Sequence, residues 1–239
     1  MTTTNLVPFS LKDAPSLIEK ILPAQKLSIE AFKEQMAVHG KTLTALGSYW
    51  KGRKPLILNK ACVLGALLPA TSNLRRDLEI FEMLMGMDDE SFLIRWGSPR
   101  PEFILKTLAL PNLYDYFEVE GGQLLPGVTP LDLADYAFAD GSKPKVSWRK
   151  DVSVEDFKRL RLEALARVPY RERVELSKRP EQVYEEVHAH IWDAVNEHYG
   201  TSAHSFPNFT AQMGILRFGH RPRVMDTFSG SGQIPFEAA

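Results

Sequence analysis

A glycine-punctuated run at the C-terminal end restricts the fold more than any other stretch of this chain. It reads Arg221-Pro-Arg-Val-Met-Asp-Thr-Phe-Ser-Gly-Ser-Gly-Gln-Ile-Pro-Phe-Glu-Ala-Ala239. Val224 and Met225 predict the end of a short buried strand, and Asp226 stands where that strand leaves its sheet. Ser229-Gly230-Ser231-Gly232 supplies a small-residue turn, and residues 233–239 open a helix with Pro235 in its first turn. Proline is tolerated there because the N–H it lacks has no intrahelical partner. Strand, glycine turn and helix start together aim backbone N–H groups and a positive helix end at an anionic ligand. The glycines let the chain bend sharply and let that ligand approach bare backbone.

Several ligands use such a turn, and the spacing separates them. A dinucleotide fingerprint requires a third glycine where Pro235 stands, and a phosphate-binding P-loop requires Gly-Lys-Ser/Thr where the chain has Gln233-Ile234. A nucleotide-binding protein using the turn for phosphate is therefore disfavoured. Asp226, Phe228, Gly230 and Gly232 form the pattern Asp-x-Phe-x-Gly-x-Gly. It resembles motif I of amino-group DNA methyltransferases, which binds the methionine part of S-adenosylmethionine.

The resemblance extends on both sides of the turn. Phe218-Gly-His-Arg-Pro-Arg-Val224 before it and Ile234-Pro-Phe-Glu-Ala-Ala239 after it look like the large bacterial adenine-specific DNA methylases. Those proteins carry an N-terminal domain of unknown function, and many are associated with anti-phage defence. Trp50-Lys-Gly-Arg-Lys-Pro-Leu56 is similar to the Trp-x-x-Arg-Arg/Lys-Pro-Leu segment of that domain. The resemblance implies S-adenosylmethionine as cofactor, with Asp226, Phe228, Ser229, Gly230, Ser231 and Gly232 in its site. A segment before motif I helps hold the methionine carboxylate in such enzymes, a role that falls here on Phe206 and Pro207. DNA is the implied substrate and other defence-system proteins are implied partners. The family's Asp/Asn-Pro-Pro-aromatic tetrapeptide, which grips the target amine and stacks on the flipped base, does not occur in residues 1–239. No catalytic residue is assigned. A competing reading treats the chain as a non-catalytic module that docks DNA or protein in a defence complex.

Composition bounds the partners. With 44% hydrophobic and 25% charged residues, the chain is an ordinary globular one. A net charge of −1 gives no general attraction to nucleic acid, so any DNA contact must be local. The single cysteine, Cys62, allows no internal disulfide and suits a reducing cytoplasm. No apolar run reaches the ~20 residues of a membrane span.

Along the chain, periodicity and punctuation predict helices at 16–21, 28–38, 56–68, 73–85 and 102–110, with a strand or hairpin arm near 114–119. Thr129-Pro130 reads as a helix start, residues 140–146 as a surface loop, and Ser153-Val-Glu-Asp156 as a capping box. One long helix is expected from Pro180 to Gly200, with a short one following through Met213. The fold class is thus mainly α: a helical N-terminal region followed by the first strand–turn–helix of an incomplete Rossmann-like methyltransferase domain. The expected divisions are a helical domain at 1–70, a helix and loop insertion at 71–150, a helical hairpin at 151–200 and the start of the methyltransferase domain at 201–239. The helix from 233 has only two turns by residue 239, so the sequence is expected to be part of a longer protein.

Three charged features invite functional readings. Lys51, Arg53 and Lys54 crowd the start of the 56–68 helix against its dipole, by ~0.3–1 kcal/mol each. Either Arg53 and Lys54 hold an anion such as a DNA backbone phosphate, or an acidic residue elsewhere in the fold answers the conflict. The basic stretch from Lys158 to Arg173 is interleaved with glutamates, favouring a salt-bridged face over a DNA patch. Asp88-Asp-Glu90 reads as a solvated helix start. His188 and His190 lie too few residues apart to share a metal on one helix face, and no metal is expected.

Overall fold

The computed structural model describes residues 6–38, 55–97, 99–108, 110, 112–120, 141, 143–227 and 234–235. The protein is mainly α. Its helices are α1 (Leu17–Lys20), α2 (Ala24–Val38), α3 (Leu56–Leu67), α4 (Leu74–Leu84), α5 (Asp89–Trp96) and α6 (Pro101–Thr107). Strands β1 (Phe117–Glu120) and β2 (Lys145–Trp148) follow. Then come α7 (Val154–Arg167), α8 (Tyr170–Leu176), α9 (Tyr184–Val187), α10 (Trp192–Tyr199) and α11 (Phe206–Phe218). Two compact units emerge, residues 1–91 with 178–239, and residues 92–177.

In the first unit, α1, α2 and α11 pack on α3, and α10 packs on α4. Leu17, Leu27, Ala61, Phe81, Leu84, Val195, Phe209 and Met213 are buried in its core. Local capping starts α4, where the Asn73 side chain accepts from the Arg76 amide at 3.1 Å. Gly86, at φ 68°, follows α4 in the left-handed region that a residue with a Cβ rarely adopts. Met85 and Met87 are buried, as gap-filling thioethers in a core should be.

The predicted long helix from Pro180 to Gly200 is broken. A 3₁₀ turn (Pro180–Val183) leads into α9, the helix stops at His188, and α10 restarts at Trp192. Two side-chain anchors account for the break. His188 Nε2 donates to the Leu84 carbonyl at 3.1 Å, and His190 Nε2 lies 3.0 Å from Asp88 Oδ2. Reaching both acceptors from neighbouring turns requires leaving helical geometry, and a continuous apolar stripe in the sequence hides that requirement.

In the second unit, β1 pairs antiparallel with β2 in the register Phe117–Trp148, Glu118–Ser147, Val119–Val146 and Glu120–Lys145. Ile104, Leu105, Leu108, Leu113, Leu160 and Ala164 close a core over the buried side of this pair. The aromatics of this region stack on each other: Trp148 lies 4.4 Å from Phe117 and 4.7 Å from Phe157 between ring centroids. Ser153 caps α7 by accepting from the Asp156 amide at 3.0 Å, as its sequence predicts. The basic stretch is largely engaged in capping. Arg161 donates to the Leu93 and Gly97 carbonyls at the end of α5, Arg167 to Thr107 in α6, and Arg173 to Val168 after α7. Helix C-termini carry orphan carbonyls and partial negative charge, which guanidinium groups satisfy. Arg159 pairs with Asp156 and Glu163.

Candidate functional site

Of the residues singled out for the cofactor, Phe206 and Pro207 lie on α11. Phe206 and Pro207 form its first turn, after an N-cap Ser205 whose side chain makes no capping hydrogen bond. Pro207 has no N–H, so the turn presents its remaining amides and the positive end of a 13-residue helix. The Phe206 ring is fixed on three sides. Its centroid lies 4.7 Å from that of His188 and 5.7 Å from that of Trp192, and Lys60 Nζ of α3 stands 4.6 Å above it. A cation over an aromatic face beside a helix N-terminus is an arrangement that favours a carboxylate or phosphate nearby. Lys60 carries no sequence signal, because the pairing spans 146 positions of chain.

At its far end α11 stops at Gly219, in the left-handed conformation with φ 73°. The chain then doubles back on the helix. A Cβ on Gly214 would overlap Pro222 Cδ and come within 2.7 Å of the His220 carbonyl. Only glycine at 214 permits this return. From here the structure departs from the sequence reading. Residues 222–226 show no strand pairing, and Val224 and Met225 are exposed, the latter at 86%. A strand exists through its hydrogen-bonded neighbours, and no described segment lies alongside these residues to supply them. Asp226 is half-buried, and Ile234 and Pro235 are helical, as the reading of Pro235 in a first turn requires. Phe228, Ser229, Gly230, Ser231 and Gly232 lie outside the described residues.

The first amides of α3 are met by one of the protein's own carboxylates. Glu34, from α2, accepts from the Leu56 amide at 2.9 Å and from the Ile57 amide at 3.2 Å. These are two of the orphan donors of α3, and a carboxylate is the charge that a helix N-terminus prefers. Sequence reasoning missed Glu34 because it lies 22 residues before the first of the α3 amides it accepts from. Arg53 and Lys54 lie outside the described residues.

The histidines bind neighbouring protein groups. His198 Nε2 lies 2.6 Å from Asp77 Oδ1, and Asp77 also accepts from the Thr71 amide at 2.7 Å and the Thr71 hydroxyl at 2.8 Å. Asp88 caps the start of α5, as the sequence suggests, but protein groups rather than solvent engage its carboxylate. It accepts from the Glu90 and Ser91 amides, the Ser91 hydroxyl and His190. Burial works to raise its carboxyl, but the hydrogen bonds from His190 and Ser91 outweigh that and hold it below the usual carboxylate range. Burial, followed by the charge of Asp77, pushes the Tyr199 hydroxyl well above its ordinary value. Among the described residues, no group of three or more His, Cys, Asp or Glu side chains could hold a metal ion. No described helix is long and apolar enough to cross a membrane.

Comparison with known proteins gives one family match. Residues 21–84 match the family described as a protein of unknown function, DUF1156. No curated protein matches the chain, and no solved structure does. The matched segment holds α2, α3 and α4 with their internal braces, the Glu34 cap on α3 and the Lys26–Glu82 ion pair at 2.7 Å. Residues from outside it, His188, His198 and Arg217, bond to groups within it.

Proposed function

We propose that residues 206–239 supply the methionine-binding half of an S-adenosylmethionine site, in a protein that methylates an exocyclic amino group of DNA. Adenine is the base that the resemblance favours. The observation that carries this reading is the Asp-x-Phe-x-Gly-x-Gly run at Asp226, Phe228, Gly230 and Gly232. Its spacing fits the methionine site and excludes the P-loop.

The geometry of α11 supports the reading. Phe206 and Pro207 stand at the helix end that favours an anion, suiting a methionine carboxylate. The chain leaving α11 turns back along it at Gly219 and passes Gly214 at Pro222. Gly214 lies eight residues along α11 from Phe206, about 12 Å. The four residues from Pro222 to Asp226 span up to ~13 Å when extended. Asp226 is therefore within reach of the Phe206 end. The chain's own residues would bind and orient the cofactor, and the methyl group to be transferred belongs to that cofactor. DNA as substrate and other phage-defence proteins as partners are taken from the same resemblance, and a cytoplasmic setting from the single cysteine, Cys62.

Isothermal titration with S-adenosylmethionine tests the reading, with Gly230→Val as control. A side chain at that turn would occupy the space that the ligand needs. The reading predicts binding that Gly230→Val abolishes. Binding that survives the substitution refutes it. No binding by either protein would favour the alternative, a module that docks DNA or protein without catalysis.

A further inference from the structure

An N-terminal segment crosses the point where α11 hands over to the return chain. The Phe9 amide donates to the Ile215 carbonyl at 3.1 Å, and the Leu11 amide donates to the Leu216 carbonyl at 2.9 Å. Both acceptors are in the last turn of α11; the Ile215 carbonyl also accepts from the Gly219 amide, and Leu216 is among the residues whose carbonyls a helix end leaves without an intrahelical donor. The far end of the Phe9 ring, Cζ with Cε1 and Cε2, abuts Gly219, so that a Cβ on that glycine would overlap the ring. Phe9 is also the one non-glycine among the described residues with positive φ, at 62°. A bulky residue held in the left-handed region is strained, and such strain persists only where the surroundings fix it. A few residues further on, the segment is fixed again. Arg217 Nη2 donates to the Ala14 carbonyl at 3.1 Å and reaches Ser16 Oγ at 3.3 Å.

We infer that Phe9 is a positioning residue, whose ring holds the Gly219 turn and so sets the path of the chain from α11 to Asp226. The inference rests on the cofactor reading for its consequence and on geometry for its mechanism. Gly219 is fitted to Phe9, and Gly214 to Pro222 and the His220 carbonyl. Between them they leave the return segment a single path. Half of the Phe9 side chain remains exposed, so ordinary core burial does not explain a strained backbone here. A role for the ring in holding the Gly219 turn, and with it the course of residues 220–226, accounts for the strain.

Hydrogen exchange and cofactor titration of the full chain separate the positioning role from the cofactor reading. The variants are Phe9→Ala, Phe9→Leu as a conservative rescue, and Val174→Ala as a control in the other unit, where Val174 is buried. Phe9→Ala should speed exchange of the Gly219 amide, which is bonded to the Ile215 carbonyl, by about tenfold or more, the signature of a local opening. Phe9→Leu should recover most of the protection, and Val174→Ala should leave this amide unchanged at a matched loss of melting temperature. Unchanged exchange of the Gly219 amide in Phe9→Ala overturns the inference, as does an equal effect from Val174→Ala. S-adenosylmethionine affinity should fall several-fold in Phe9→Ala and return in Phe9→Leu. If the unmodified chain binds no S-adenosylmethionine, the cofactor reading fails while the exchange result still decides the role of Phe9.

Discussion

Replacing Arg217 with methionine should be among the most damaging single changes in the first unit. Arg217 is a buried residue of α11 whose Nη1 donates to Ala66 and Leu67 at 2.8 Å each and to Leu68 at 3.3 Å. It caps the C-terminal end of α3, while Nη2 holds Ala14 and Ser16. Burial pulls its pKa down, an effect partly offset by the charge of Glu19. A buried ion pair can sometimes be exchanged for apolar side chains without loss, because both charges leave together. Here the acceptors are backbone carbonyls that stay behind whatever replaces the arginine. Leaving a buried acceptor unmet costs ~1–3 kcal/mol, and several carbonyls lose their donor together, so a total of ~3–5 kcal/mol is expected. In a unit of this size each kcal/mol lowers the melting temperature by ~2–4 °C, so Arg217→Met should lower it by about 10 °C. Calorimetry measures the shift, and hydrogen exchange locates it. The Leu68 amide, bonded to Leu64, and the Leu17 amide, bonded to Leu68, should lose protection first. A shift under ~2 °C with unchanged exchange in the last turn of α3 would refute the capping role.

Other contacts give further expected outcomes. Asp77→Ala strips the acceptor from His198 and from both donors of Thr71, and denaturant unfolding should register a loss of ~3 kcal/mol. Asp88→Asn keeps a capping oxygen but removes the charge. Because the folded Asp88 carboxyl is held low, its contribution is present above the unfolded carboxyl pKa of ~3.9 and is lost as pH falls through its lower folded value. The stability difference between Asp88→Asn and the unmodified chain should therefore shrink below about pH 4, as acid titrations of unfolding free energy would show. Gly214→Val should drive Pro222 off α11, and limited tryptic proteolysis should then cut after Arg223 sooner than in the unmodified chain. Arg161→Gln should lower the stability of the second unit without changing retention on a DNA column at physiological salt, since its guanidinium is committed to α5.

Local signals made much of the fold legible. Proline, asparagine and serine at helix starts placed α3, α4 and α7 within a residue or two of where they stand. The mainly α class followed from those helices. Other features depend on partners distant in sequence and were not legible. The first half of β2, Lys145 and Val146, reads as part of a loop because Lys145–Trp148 is short and pairs with a strand, β1, that lies well before it in the chain. The break at His188 depends on Leu84 and Asp88, and the capping of α3 depends on Glu34. Arginines that look like a basic patch in one dimension are helix caps in three. At the candidate site, the sequence singled out Phe206, Pro207 and Asp226, whereas Lys60 and Phe9 come into view only once α11 has its neighbours.

Photo-crosslinking with radiolabelled S-adenosylmethionine, combined with peptide mapping, tests the central claim most directly. The account predicts label in peptides covering Phe206–Pro207 or residues 222–232, competed away by unlabelled S-adenosylmethionine and absent in Gly230→Val. Competable label confined to peptides of the second unit, or undiminished in Gly230→Val, would contradict it.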